Sequence, residues 1–173
     1  MFLTMGKKLL FVILLMGLTG YAETLTVCEA LANLTELNGR TVNIRGIWSV
    51  GDAHRALMAE SPCEQPTVRD GWLWPDRINL VADNGQIYRY AAEFRILLKS
   101  TPRHSPVVTL TGRFETKKHF EIKKFPNGSQ LPQAFENLVA QLRFWKTSDF
   151  LAVPWRTYRP DDGTVIERPK RVE

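Results

Sequence analysis

Two cysteines and three histidines are all that this chain of 173 residues offers among the side chains that most often hold transition metals. The histidines, His54, His104 and His119, stand far apart. None has the His-x-His or His-x-x-x-His spacing that sets two nitrogens on one ion, so no metal site is assigned. Gly-x-Ser-x-Gly is absent, which removes the hydrolases that present serine on a sharp strand-to-helix turn. No glycine-rich loop has the spacing that cradles a phosphate. The residues therefore nominate no catalytic group and no cofactor. Internal repeats and low-complexity tracts are also missing, and after residue 22 no apolar run approaches the length that crosses a bilayer.

One apolar run is present, and it is short. Lys7 and Lys8 precede Leu9 to Leu18, and the stretch closes on Gly20-Tyr21-Ala22 before the chain turns polar. A basic start, about ten apolar residues and small residues before the cut describe a secretory signal peptide over residues 1–22, cleaved near Ala22. The expected address is exported, periplasmic or secreted, with no transmembrane segment in the mature chain. What remains is 151 residues, enough for one core. Both leader lysines leave, so 21 basic side chains face 18 acidic ones and the net charge falls from +5 to +3. A mild, scattered excess of this kind argues against a nucleic-acid partner.

Cys28 and Cys63 make an even count in an exported chain, which reads as one disulfide. A rival assignment acylates Cys28, because Leu25-Thr26-Val27-Cys28 resembles a lipobox. That motif wants a small residue where Val27 stands, and it would leave Cys63 an unpaired exported thiol.

Thr26-Val-Cys-Glu29 has the form of a capping box, and Val27, Ala30, Leu31, Leu34 and Leu37 follow at helical spacing up to Asn38-Gly39. Strict alternation then predicts strands over Gly39 to Trp48, Ala56 to Glu60, Arg77 to Ala82, Val107 to Thr116 and Gln141 to Phe150. A second helix is expected through Tyr90, Phe94, Leu97 and Leu98, before Pro102. Glu64 to Asp76 reads as a loop, and Lys117 to Ala140 as a mixed connection with one helical turn near Gln133 to Leu138. Gly46 and Gly112 interrupt the first and fourth strands, as where a strand must bend or coil strongly. The fold is expected to be mainly β with helices, an α+β arrangement. Three strands, a helix and two strands give an OB-fold-like five-stranded barrel with an N-terminal helix and a helix between strands three and four. The domain runs over residues 23–153, followed by a polar, loosely held tail over 154–173. An open antiparallel sheet with helices is the other arrangement that satisfies these elements.

A cysteine-bearing first helix, Leu37-Asn-Gly-Arg-Thr-Val-Asn-Ile-Arg-Gly46, a second cysteine after a short strand, Val108-Thr-Leu-Thr-Gly-Arg-Phe114 and Ala140-Gln-Leu142 occur in this order. In these features the chain resembles secreted bacterial OB-fold-like proteins of unknown function, over roughly residues 25 to 150. The resemblance implies the fold and adds no mechanism. Members of that family carry a Gly-His pair before the last strand. Phe135-Glu136-Asn137-Leu138 stands there instead, so no role of such a histidine carries over.

Barrels of this kind that bind polymers use the loops after their first and fourth strands. The first loop holds His54 and Arg55. The second opens with Lys117, Lys118, His119, Phe120, Lys123 and Lys124, the densest basic and aromatic stretch of the chain, and is expected to lie beside Asp52 to Arg55. Lysines interleaved with aromatics suit an anionic polymer. The reading favoured for them is a strand edge kept from pairing with other chains. Trp72 and Trp74 form either a platform for sugar rings or a plug for one end of the barrel. These residues point to an exported, non-enzymatic binding or interaction module for a peptide, a glycan or an anionic envelope polymer. The alternatives are a small exported hydrolase, metal-assisted and nuclease-like, and a structural envelope protein without a ligand.

Overall fold

The computed structural model describes residues 23–50, 55–82, 104–135, 138–154 and 168–172. The leader, His54 and the helix expected through Tyr90 to Leu98 lie outside them. The described chain opens with β1 (Thr24–Thr26), α1 (Val27–Ala32) and α2 (Leu34–Leu37). The capping box forms as the sequence predicts: Thr26 Oγ1 accepts from the Glu29 amide at 3.2 Å, and Glu29 Oε2 accepts from the Thr26 amide at 2.7 Å. Two otherwise orphaned amides are thereby satisfied. The Thr26 amide, and the Thr26 hydroxyl that donates to the same oxygen at 2.9 Å, hold the Glu29 carboxyl below the ordinary value for glutamate.

The single helix expected here is broken at Asn33. Asn33 Nδ2 donates to the Glu29 carbonyl at 2.9 Å while its own amide turns to the Ala30 carbonyl. A side chain that captures the acceptor its own amide would use in a helix competes with the helical ladder.

Five strands close into a barrel: β2 (Thr41–Val50), β3 (Arg55–Met58), β6 (Arg77–Ala82), β7 (His104–Thr116) and β10 (Ala140–Pro154). Around the ring the order is β2, β3, β6, β10, β7 and back to β2, every pairing antiparallel except the parallel β6–β10 contact. β1 adds to β2 in parallel. Following partners from Ser49 through Ala56, Asn79, Gln141 and Glu115, and continuing the β7–β2 register, returns the path about ten residues upstream of Ser49. Such a stagger inclines the strands strongly and makes a narrow barrel that side chains alone can fill.

Alternation sorts the side chains as expected. Val42, Ile44 and Trp48 of β2, Leu110 and Phe114 of β7, and Leu142 and Phe144 of β10 face the core, joined by Val27, Ala30, Leu31 and Leu34 from the two helices. Trp48 and Phe144 meet edge to face, with ring centroids 5.4 Å apart. Gly46 lies at a crossing, where a Cβ would stand 2.6 Å from the Met58 carbonyl oxygen and 2.8 Å from Val27 Cγ2. Cys28 and Cys63 are disulfide-bonded, with Cα atoms 5.3 Å apart, tying α1 to the segment after β3. By the chain-entropy model a loop of 35 residues closed in this way adds about 3–4 kcal/mol to stability. Among the described residues no helix is long and apolar enough to cross a membrane.

Three further expectations change. Glu64 to Asp76 is not a plain loop: β4 (Thr67–Arg69) and β5 (Trp72–Trp74) form a hairpin about Asp70-Gly71, both at positive φ. Within the C-terminal segment, the described residues 168–172 are tied to the fold where β11 (Lys170–Arg171) pairs with Leu73 and Trp72. In place of a helical turn at Gln133 to Leu138, β8 (Glu121–Lys124) and β9 (Gln130–Gln133) form a second hairpin, and Phe135 bridges Leu138. Pro126-Asn127-Gly128 turns that hairpin. Gly128 has φ +79°, and Asn127 Oδ1 accepts from the Ser129 amide and hydroxyl.

Candidate functional site

β7 leaves the barrel beside the start of β2. The Thr116 amide donates to Asn38 Oδ1 at 2.8 Å, and the Phe114 amide to the Arg40 carbonyl at 2.9 Å. The basic stretch begins there. Lys117, Lys118 and His119 are exposed, Phe120 turns inward, and all four residues of β8, including Lys123 and Lys124, are exposed. A lone two-stranded ribbon is marginal in water. This one is held at its base by Phe120, whose ring lies 4.7 Å from that of Trp74 and under the Arg69 guanidinium at 5.8 Å. Lys117 Nζ stands 5.7 Å over the Phe135 ring and Lys123 Nζ 5.3 Å over that of Phe125. The ribbon thus carries charge on both faces, with Ile122 the large apolar side chain it leaves in water.

The structure does not bring Arg55 beside this stretch. Arg55 opposes Val50 at the far end of β2. Because β2 and β7 run antiparallel, the chain leaving β7 emerges where β2 begins, so the expected contact with Arg55 is absent. His54 lies outside the described residues. Trp74 is 1% exposed, its indole nitrogen donating to the Arg69 carbonyl at 3.3 Å, so it has no open face for a sugar ring. Trp72 packs partly buried against the same core. Both belong to the hairpin on which Phe120 rests, Trp74 through its direct ring contact.

The outer faces of β6, β10 and β7 carry a polar row in which only Glu115 stood out from the sequence. Asn79 Nδ2 donates to Gln141 Oε1 at 3.1 Å, and Gln141 Nε2 to Glu115 Oε2 at 3.0 Å. Glu115 Oε1 lies 3.7 Å from Arg143 Nε. Asn79 and Gln141 are only 3% and 8% exposed, so their mutual bonds satisfy groups that would be costly to bury alone. Arg143 directly opposes Arg113. The signal was present in the alternation, where every second residue of the fourth and fifth strands had to face outward.

A shallow groove of about 500 Å³ separates α1 and α2 from β4, with Leu31, Leu34 and Val68 among its walls. Glu36 and Arg69 are the charged residues lining it, and they select no ligand class. Among the described residues no three His, Cys, Asp or Glu side chains gather closely enough to hold a metal ion. No protein-family model, curated protein or solved structure matches this chain.

Proposed function

We propose that this chain is an exported, non-enzymatic binding module on an OB-type barrel, and that its β8–β9 ribbon engages an anionic envelope polymer. The ring order, with one parallel contact between its third and last strands, and the glycine crossing on the first strand support the OB reading. The disulfide supports export to an oxidising compartment. The observation that carries the function is the ribbon itself: an anchored hairpin leaving the end of the fourth barrel strand with Lys117, Lys118, Lys123 and Lys124 all exposed. A merely protected edge would call for lysines on the strand. The arrangement here adds two more, Lys117 and Lys118, in the bend that joins ribbon to barrel.

The hydrolase reading needs carboxylates gathered around a metal. Glu115, the acid on the outer face of the fourth barrel strand, is engaged by Gln141 and Arg143 instead. That pairing favours binding over hydrolysis.

The test compares two fourfold glutamine variants of equal net charge on an immobilised anionic polymer. One replaces Lys117, Lys118, Lys123 and Lys124; the other replaces Lys146, Arg168, Lys170 and Arg171. The ribbon variant is expected to elute at lower salt and with a flatter salt dependence, because fewer counterions are released on binding. Equal elution of the two variants would reduce the ribbon to a solvated edge.

A further inference from the structure

Resting on that reading, we propose that Arg113 and Arg143 form an oxyanion subsite on the outer face of β7 and β10, at the foot of the ribbon, which takes a phosphate or carboxylate group of the polymer. Arg113 lies between Gly112 and Phe114 and Arg143 between Leu142 and Phe144, all four flanking residues buried, so both arginines are turned outward. The register sets them directly across from each other. Like charges opposed on one face of an antiparallel pair destabilise it.

Glu115 gives one oxygen to the Gln141 amide and the other to Arg143. Arg113 is exposed and forms no ion pair among the described residues, its guanidinium resting beside Gly39, with Nη2 3.8 Å from where a Cβ would stand. On the same strand line, two residues beyond Glu115, Lys117 begins the ribbon. The foot of the ribbon thus brings Arg113, Arg143, Lys117 and Lys118 onto adjoining stretches of β7, β10 and the bend that follows β7.

Arg143 is held by the row that runs from Asn79 through Gln141 and Glu115, each step a side-chain contact across neighbouring strands. A preset guanidinium loses little freedom when a ligand arrives. A guanidinium plane matches the fork of a phosphate or carboxylate, which a lysine ammonium does not. An oxyanion between the two arginines removes their repulsion and gains charge-assisted hydrogen bonds. The ribbon lysines supply attraction spread along the chain, and this pair supplies a fixed point of contact.

The deciding variant is Arg113→Lys, which keeps the charge and removes the fork. Binding is measured by calorimetry on the full mature protein with two probes, a linear polyphosphate and a polygalacturonate. Arg113→Lys is expected to weaken binding of at least one probe about tenfold, the loss of one charge-assisted hydrogen bond, and Arg113→Gln at least as much, while Arg171→Lys changes neither. The probe that responds identifies the oxyanion as phosphate or carboxylate. Unliganded Arg113→Gln is expected to melt no lower than the parent protein, because it relieves repulsion, so its lost affinity cannot come from unfolding. Wild-type affinity of Arg113→Lys for both probes would overturn the subsite. If the fourfold ribbon variant still weakens binding in that case, only the subsite falls; if neither variant has an effect, the parent reading falls with it.

Discussion

Gly112 of β7 presses so closely on Arg143 of β10 that a Cβ on the glycine would stand 2.5 Å from the Arg143 carbonyl oxygen and 2.7 Å from the Phe144 Cα. Both obstacles are backbone, so no side-chain rotation relieves the contact. The barrel closes here only because one strand lacks a side chain. Gly112→Ala is therefore expected to force β7 and β10 apart and to cost about 3 kcal/mol, the upper range for an overpacked core. In a domain of this size that lowers the melting temperature by roughly 6–12 °C. A melt within 1–2 °C of the parent protein would mean the crossing has slack. The same substitution shifts the backbone that carries Arg143, so polymer affinity is expected to fall with stability.

Phe120 is the second point where packing serves the site. Its ring meets Trp74 from the base of the basic stretch, and the ribbon beyond it buries little besides Pro132. Phe120→Ala is expected to remove about 2 kcal/mol of local packing while leaving the barrel core intact. Amide hydrogen exchange should read this directly. Protection in β8 and β9 is expected to drop by one to two orders of magnitude, with β2 and β7 unchanged. Polymer retention should also weaken although every lysine is still present. Unchanged exchange in the ribbon would mean that something other than Phe120 holds it.

Most of the barrel was legible because its signals are local. Val42, Ile44 and Trp48 alternate without exception, Thr26 and Glu29 spell out a cap, and Gly46 and Gly112 interrupt strands where only a close approach explains them. The hairpin at Asp70-Gly71 was equally written in the sequence, since Asp-Gly between alternating residues marks a tight strand reversal. It was obscured by Pro62, Pro66 and Pro75, which made the whole stretch look irregular. The break at Asn33 was not legible, because it depends on whether the Asn33 amide group or its backbone takes the Glu29 carbonyl. For the site, the lysines showed themselves by composition alone. Arg113 and Arg143 did not, because thirty residues separate them and only the β7–β10 register makes them neighbours. The same register explains why Arg55 failed to meet Lys117: composition marks a charged loop, whereas strand direction decides at which end of the barrel it emerges.

Asp76 offers a test by pH. Its carboxyl sits half-buried after β5, accepts from the Cys63 amide at 3.2 Å, and lies beside Arg77. Burial raises its pKa above the usual aspartate value, and the Cys63 amide and Arg77 offset this only in part. A group whose pKa is higher in the folded than in the unfolded chain binds a proton on folding. Its contribution to stability is complete below the unfolded value of about 3.9 and is lost as pH rises through the folded value. Asp76→Asn keeps an oxygen for the Cys63 amide and carries no charge at any pH. Its stability relative to the parent protein is therefore expected to improve as pH rises from about 3.5, and to level off once the folded-state pKa is passed. Urea midpoints of the two proteins, measured in half-unit steps from pH 3 to pH 7 with the disulfide intact, give this difference directly. A difference that stays flat across the series, or that moves in favour of aspartate as pH rises, would mean that the Cys63 amide and Arg77 outweigh burial at this position.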